Sequence, residues 1–193
     1  MGRPREFDEA QVLDQAMKVF WRQGYAATSV KDLVRETGLN PGSLYEAFGD
    51  KHELFLSAIN HYRASVVRRR LEDMERPGPG RDRIAGFFDD LVRFSTGEGR
   101  LMGCLMTNSA VELAPHDRDV AVLVAANLAE MERAFRRLVE RGQQDGSIAN
   151  GDPAADIARY LAVGVQGLRV MSKANPDAGA LSAVVRQILS VLG

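Results

Sequence analysis

Cysteine is almost missing from this chain of 193 residues: Cys104 stands alone, which excludes an internal disulfide framework and a zinc site built from several thiolates. Charged residues interrupt every apolar run before it reaches the roughly 18 residues a membrane span needs, and Met1 to Glu9 holds no apolar signal core. The expected location is the cytoplasm, with no membrane partner. Excess charge is lacking too. With 25 basic and 26 acidic residues the formal net charge is −1, and residues 1–51 hold 7 basic against 8 acidic side chains. A basic face can therefore come only from arrangement. Period-2 alternation is not sustained anywhere, and no Asn-Gly or Asp-Gly hairpin joins two apolar runs, which removes the sheet classes. Catalysis is not expected either: Cys104, His116 and Asp117 are the only local cluster with chemical capacity. Gly97-Glu98-Gly99 followed by Gly103 misses the dinucleotide-binding spacing and follows no strand. No cofactor or metal is expected.

What the chain has is period 3.6, punctuated by clear helix signals. Asp8 with Gln11 opens a first helix, Phe7 can staple against Val12, and Leu13, Ala16, Met17 and Phe20 share one face up to Gly24. Thr28 or Ser29 caps a short second helix, with Val30, Leu33 and Val34 on one side and Gly38 at its end. Asn40 caps a third, in which Pro41 takes the first position and Leu39 can staple against Leu44. Asp50 with Glu53 starts a fourth that runs to about Arg76, where Pro77-Gly78-Pro79-Gly80 breaks it. The periodicity predicts further helices at about 81–96, 103–114, 117–143, 153–174 and 177–192. The fold class is all-α with nine helices. We place the functional boundary at the start of the fourth helix: 1–50 as one domain, 51–193 as the other, and the helix at about 51–76 as the connection.

Two short helices joined by Thr37-Gly38-Leu39-Asn40 have the proportions of a helix-turn-helix. Pro41-Gly42-Ser43 leaves the N-terminal end of the second of them, at about 41–47, sterically bare, so its free N–H groups can approach phosphate or base edges.

Thr28-Ser29-Val30 through Gly38-Leu39, followed by Gly42-Ser43-Leu44-Tyr45-Glu46-Ala47-Phe48-Gly49-Asp50-Lys51-His52-Glu53-Leu54, resembles the TetR family of repressors over about 8–62. The resemblance implies an Ω-shaped, all-α homodimer with DNA-binding helices one to three and a ligand-responsive dimerisation body. It implies that Tyr45 and Lys51 reach phosphates, that Thr28 and Ser29 make contacts from the second helix, and that Gly42 and Ser43 lie beside base edges. Arg3 and Arg5 resemble a basic arm laid along the DNA. Asn40 and Pro41 complete the expected DNA-binding set. The chain departs from the family at Ala47, where an aromatic is usual, and at Glu46, which adds a negative charge.

In the body, Phe87, Met102, Cys104, Met106, Asn108, Glu112, His116 and Met131 are candidates to line a ligand cavity for an unidentified small-molecule effector. The last two helices carry broad apolar faces, Ala155, Ala158, Leu161, Ala162, Val165 and Leu168 on one and Leu181, Val184, Val185, Ile188, Leu189 and Leu192 on the other. Gly164 and Gly167 would let helices approach closely, and pairing of these faces across a two-fold axis is expected to make the homodimer. Cys104, in Gly103-Cys104-Leu105, falls at an expected helix N-terminus, where a thiol is acidified. The expected function is a ligand-responsive repressor acting as a homodimer on a palindromic double-stranded operator. Transcriptional activation, and redox or electrophile sensing through Cys104, are the alternatives.

Overall fold

The computed structural model describes residues 7–193; Arg3 and Arg5, expected to form a basic arm, lie outside the described residues. Nine helical rods and no strand make up the described chain. They are α1 (Glu9–Gln23), α2 (Val30–Thr37), α3 (Pro41–Phe48), α4 (Lys51–Met74), α5 (Gly80–Thr96), α6 (Leu105–Glu112), α7 (Arg118–Asp145), α8 (Ala154–Ala174) and α9 (Ala178–Leu189), the last closed by a 3-10 turn at Ser190–Leu192. Within α4, residues Arg63–Val67 are π-helical, between α-helical stretches Lys51–Tyr62 and Arg68–Met74.

Capping chemistry sets the N-terminal boundaries. The Asp8 carboxylate accepts from the N–H groups of Ala10 and Gln11, and Asp50 accepts from those of His52 and Glu53. Ser29, not Thr28, caps α2: its hydroxyl accepts from the Asp32 N–H while Asp32 accepts from the Ser29 N–H, a reciprocal box that satisfies two orphan donors. Asn40 accepts from the Ser43 N–H at 2.9 Å. Gly38 ends α2 at φ 70°, the left-handed conformation that lets the chain double back into α3 with no Cβ penalty. The sixth helix is shorter than the sequence predicts. Leu101 and Gly103 adopt positive φ and Cys104 is extended, so α6 cannot begin before Leu105.

The N-terminal unit is closed by aromatic packing. Phe20 meets Phe55 edge to face at 4.9 Å between centroids, and Tyr25 lies 4.9 Å from the same ring. Leu33 and Leu44, fully buried, fix α2 and α3 onto this cluster. In the body, α7 packs along α8 and α5 crosses α7. That crossing is a backbone contact. A Cβ on Gly80 would stand 2.3 Å from the Leu138 carbonyl oxygen and 2.5 Å from the Gly142 nitrogen, so only glycine lets α5 come this close.

Contacts from Trp21, Glu112 and His52 help tie the N-terminal unit to the body. Trp21 on α1 lies edge to face with Tyr62 of α4 and stacks on Phe94 of α5. Glu112, at the end of α6, accepts from the N–H groups of Tyr25 and Ala26 at 3.1 and 2.7 Å. The His52 ring at the start of α4 hydrogen-bonds Asp117, the N-cap of α7, at 2.7 Å. The Asp117 carboxyl is held below its usual range first by the Val120 N–H and then by His52. Among the described residues, no helix is long and apolar enough to cross a membrane.

Candidate nucleic-acid interface and buried cavity

The outer end of the N-terminal unit presents the start of α3. Pro41 and Gly42 are exposed, and Ser43 is half-buried beside its cap. A Cβ on Gly42 would meet only Asn40 Oδ1, at 3.2 Å, so the chain's own packing sets little demand for glycine there. Tyr45 is half-buried on the same helix, and Leu44 points into the core. Lys51 places its Nζ 4.4 Å from the Tyr25 ring centroid, a cation–π contact at the first position of α4. Burial first, then Asp50 and Asp117, push the Tyr25 hydroxyl up from its ordinary value. Ser29 is exposed at the tip of α2. Thr28 is not. It is 1% exposed and its hydroxyl donates inward to the Gly24 carbonyl at 2.6 Å, so its side chain points away from the surface where the sequence reading puts it.

Most cations of the unit are already spent on carboxylates: Lys18 on Asp14, Arg22 on Glu36, Arg35 on Asp32. Among described residues 7–51, Lys31 and Lys51 are the cations without an acidic partner. Sequence reasoning missed Lys31, which stands exposed on the first turn of α2.

Inside the body lies a small chamber of about 30 Å³ walled by α4, α5, α7 and α8 with Cys104. It shares Arg70, Phe87 and Arg169 with an outer cleft of about 230 Å³ between α4 and α5. Of the eight candidates, the structure brings Phe87, Cys104 and Met131 together here. The other five lie elsewhere. Glu112 holds the α1–α2 loop, His116 is exposed beyond α6, Asn108 donates to the Met102 carbonyl, and Met106 is buried in the core.

The residues that give the chamber its polarity are ones the sequence reading passed over: Tyr62, Arg70, Asn127, Gln166 and Arg169. Arg169 carried a signal, since it falls at i, i+4, i+8 with Leu161 and Val165, a charge on a buried stripe. Arg70 lies over Phe94, 4.6 Å from its centroid. The Tyr62 hydroxyl donates to Cys104 Sγ at 3.5 Å. Burial pushes the Cys104 thiol up, but Arg169, the Tyr62 hydroxyl and Thr107 together outweigh it and hold the thiol below its ordinary value. Burial pushes the Arg169 guanidinium down, with Cys104 and Tyr62 opposing.

Residues 12–58 match the family of bacterial regulatory proteins, tetR family, and residues 80–188 match the tetracyclin repressor-like C-terminal domain. The chain belongs to the TetR family. Its resemblance to the uncharacterized HTH-type transcriptional regulator YezE of Bacillus subtilis (strain 168) is 34% identity over 194 residues, covering 100% of both chains. It is 29% identical over 173 residues to the HTH-type transcriptional repressor ComR of Escherichia coli (strain K12), covering 89% of this chain and 82% of ComR. Among solved structures, a cysteine mutant of the TetR family transcriptional regulator CifR complexed with 26-bp double-strand operator DNA superposes with a TM-score of 0.87 at 32% identity, covering 99% of this chain and 100% of that one. This TetR family member is therefore a DNA-binding transcriptional regulator of the all-α, helix-turn-helix type, and the family is one of regulators rather than enzymes.

The surface of α8 differs from the sequence expectation in an instructive way. The stripe of Ala158, Leu161, Ala162, Val165 and Leu168 is consumed inside the chain, and Gly164 receives Ile188 of α9. A second stripe is exposed: Tyr160, Val163, Val170 and Met171, with Val184 of α9 also exposed. Gly167, between them, has nothing near its Cβ position.

Proposed function

We propose that this chain represses transcription as a homodimer on a palindromic operator, and that a small molecule entering the chamber beside Cys104 lowers its affinity for DNA. The observation that carries the reading is that one rod reaches both places: α4 begins at Lys51, on the face we assign to DNA, and its π-helical turn supplies Val66 and Val67 to the chamber wall. A π turn inside an α-helix can shift register at small cost, so a ligand pressing on it can rotate or slide the rod's N-terminal half. A ligand drives that change only if it binds one arrangement better than the other. Phe94, which lies under Arg169, and Trp21 offer a second route from the chamber's wall to α1.

Gly42, Ser43 and Asn40 at the start of α3, with Ser29, Lys31, Tyr45 and Lys51 around it, form the face we assign to DNA. The names of relatives such as the repressor ComR favour repression over activation. The exposed stripe of α8 with Val184 of α9 supports pairing of the last two helices between two copies, which would set two recognition helices on successive half-sites. Operator duplex selected from a random pool, titrated with and without candidate ligands, tests the whole. Weaker binding with ligand is expected; a ligand that occupies the chamber without changing operator affinity contradicts it.

A second reading has its own observation. Cys104 is a thiol of lowered pKa on the chamber wall, so electrophiles that alkylate it would act from the same place. Under that reading, Cys104→Ser abolishes release by a reactive aldehyde; unchanged release removes it.

A further inference from the structure

Arg169 is 4% exposed, and its Nη1 has no hydrogen-bond partner. It faces the chamber, whose walls, among the described residues, include no carboxylate. The acidic groups nearby belong to the outer cleft, where Asp73 pairs with Arg76 and Asp90 with Arg93, and Asp82 stands on the first turn of α5. What Arg169 does touch is weak by comparison. Its guanidinium lies 5.4 Å from the Phe94 centroid, a ring it shares with Arg70, so two cations draw on one quadrupole. A buried guanidinium with an idle donor is costly unless something supplies an acceptor. Asn127 on the facing helix is 2% exposed, and its Oδ1, an acceptor, is without a partner as well, so an idle acceptor lies in the same chamber as the idle donor. The chamber is a polar site with unmet hydrogen bonds on facing helices, α7 and α8.

We propose that this chamber receives the carboxylate of a small organic acid, bound by Arg169, with the acid's short apolar chain lying against Val67, Leu71, Phe87 and Val165. The inference rests on the reading of the protein as ligand-responsive and specifies the ligand's chemistry. Size and donor geometry select the group. A chamber of about 30 Å³ has room for a few heavy atoms at most. A planar, two-oxygen carboxylate matches the guanidinium fork. The wall beyond the guanidinium is Val66, Val67, Leu71, Phe87 and Val165, a surface for alkyl rather than polar substituents.

The protein carries its own reporter. Trp21 is its sole tryptophan and stacks on Phe94, the ring that Arg169 overlies. Straight-chain acids from propanoate to hexanoate are titrated into the full-length protein, each beside its primary amide, following Trp21 emission and, separately, heat of binding. The proposal expects saturable binding of at least one acid, about tenfold or more tighter than its amide. Arg169→Gln should erase that preference, and Arg169→Lys, which keeps the charge, should retain part of it. The acid-to-amide comparison on the unaltered protein stands even if Arg169→Gln does not fold. Equal affinity for acid and amide, no binding of any acid, or an undiminished preference in Arg169→Gln each overturns the proposal. Operator affinity measured on the same samples separates the two readings. Arg169-dependent binding without operator release leaves the acid site standing and removes its role as the effector site, whereas release by the amides alone keeps a ligand-responsive regulator and removes the acid site.

Discussion

Trp21 of α1 and Phe94 of α5 stack with centroids 5.7 Å apart and planes 17° from parallel, joining the N-terminal unit to the body. Phe94 in turn lies under Arg70 and Arg169. Replacing it with leucine keeps apolar volume but removes the stack and both cation contacts. We expect Phe94→Leu to cost about 1–2 kcal/mol of stability, to leave operator affinity of the ligand-free protein unchanged and to blunt the response to ligand. Chemical denaturation and operator titrations check both halves; an undiminished response would show that this stack does not couple the sites.

Glu112 is a second connection, made by two backbone donors on one carboxylate. Glu112→Ala leaves the Tyr25 N–H without its partner in a half-buried position, while Ala26 can turn to water. Destabilisation of about 1–2 kcal/mol is expected, with hydrogen exchange at Tyr25 accelerated more than in the core of α7. Unchanged exchange at Tyr25 would mean that Glu112 is incidental to the junction.

The thiol of Cys104 titrates below its ordinary value because Arg169, Tyr62 and Thr107 outweigh the burial that opposes them. A depressed pKa stabilises the folded protein above the unfolded cysteine's pKa, and that contribution is lost as pH falls through the folded value. Alkylation by iodoacetamide should therefore rise with pH along a curve whose midpoint lies below that of a free cysteine peptide titrated alongside it. Arg169→Gln should move the midpoint upward. A midpoint at or above that of a free thiol would contradict the arrangement around Sγ.

Gly42 and Lys51 give opposite signatures on DNA. Gly42→Ala meets only Asn40 Oδ1 within the chain, so the fold should hold while the new methyl group stands between α3 and the duplex. Lys51→Ala should weaken binding to all sequences alike and lower the salt dependence by about one counterion released. Melting curves and salt titrations measure both. Full DNA affinity in Gly42→Ala would place the duplex elsewhere.

Most of the fold was legible because helix boundaries here are written in local chemistry. Asp8, Ser29, Asn40 and Asp50 all cap as their positions predict, and Gly38 turns the chain in the left-handed region. Where the sequence offered two caps, Thr28 or Ser29, tertiary burial decided: Thr28 is drawn inward to Gly24. The chamber was legible only in part. Phe87, Cys104 and Met131 share it, but Glu112 and His116 do not, because helical periodicity says which residues share a face and nothing about which neighbouring helix that face meets. The π turn at Arg63–Val67 left no pattern in the sequence at all.

One measurement bears on the central claim most directly: selection of duplex DNA from a random pool by the purified protein, followed by sedimentation of the complex. The account predicts an inverted repeat with two half-sites about one helical turn apart, bound by two copies of the chain. Failure to retain any duplex at low ionic strength, or a single half-site bound by one copy, would contradict it.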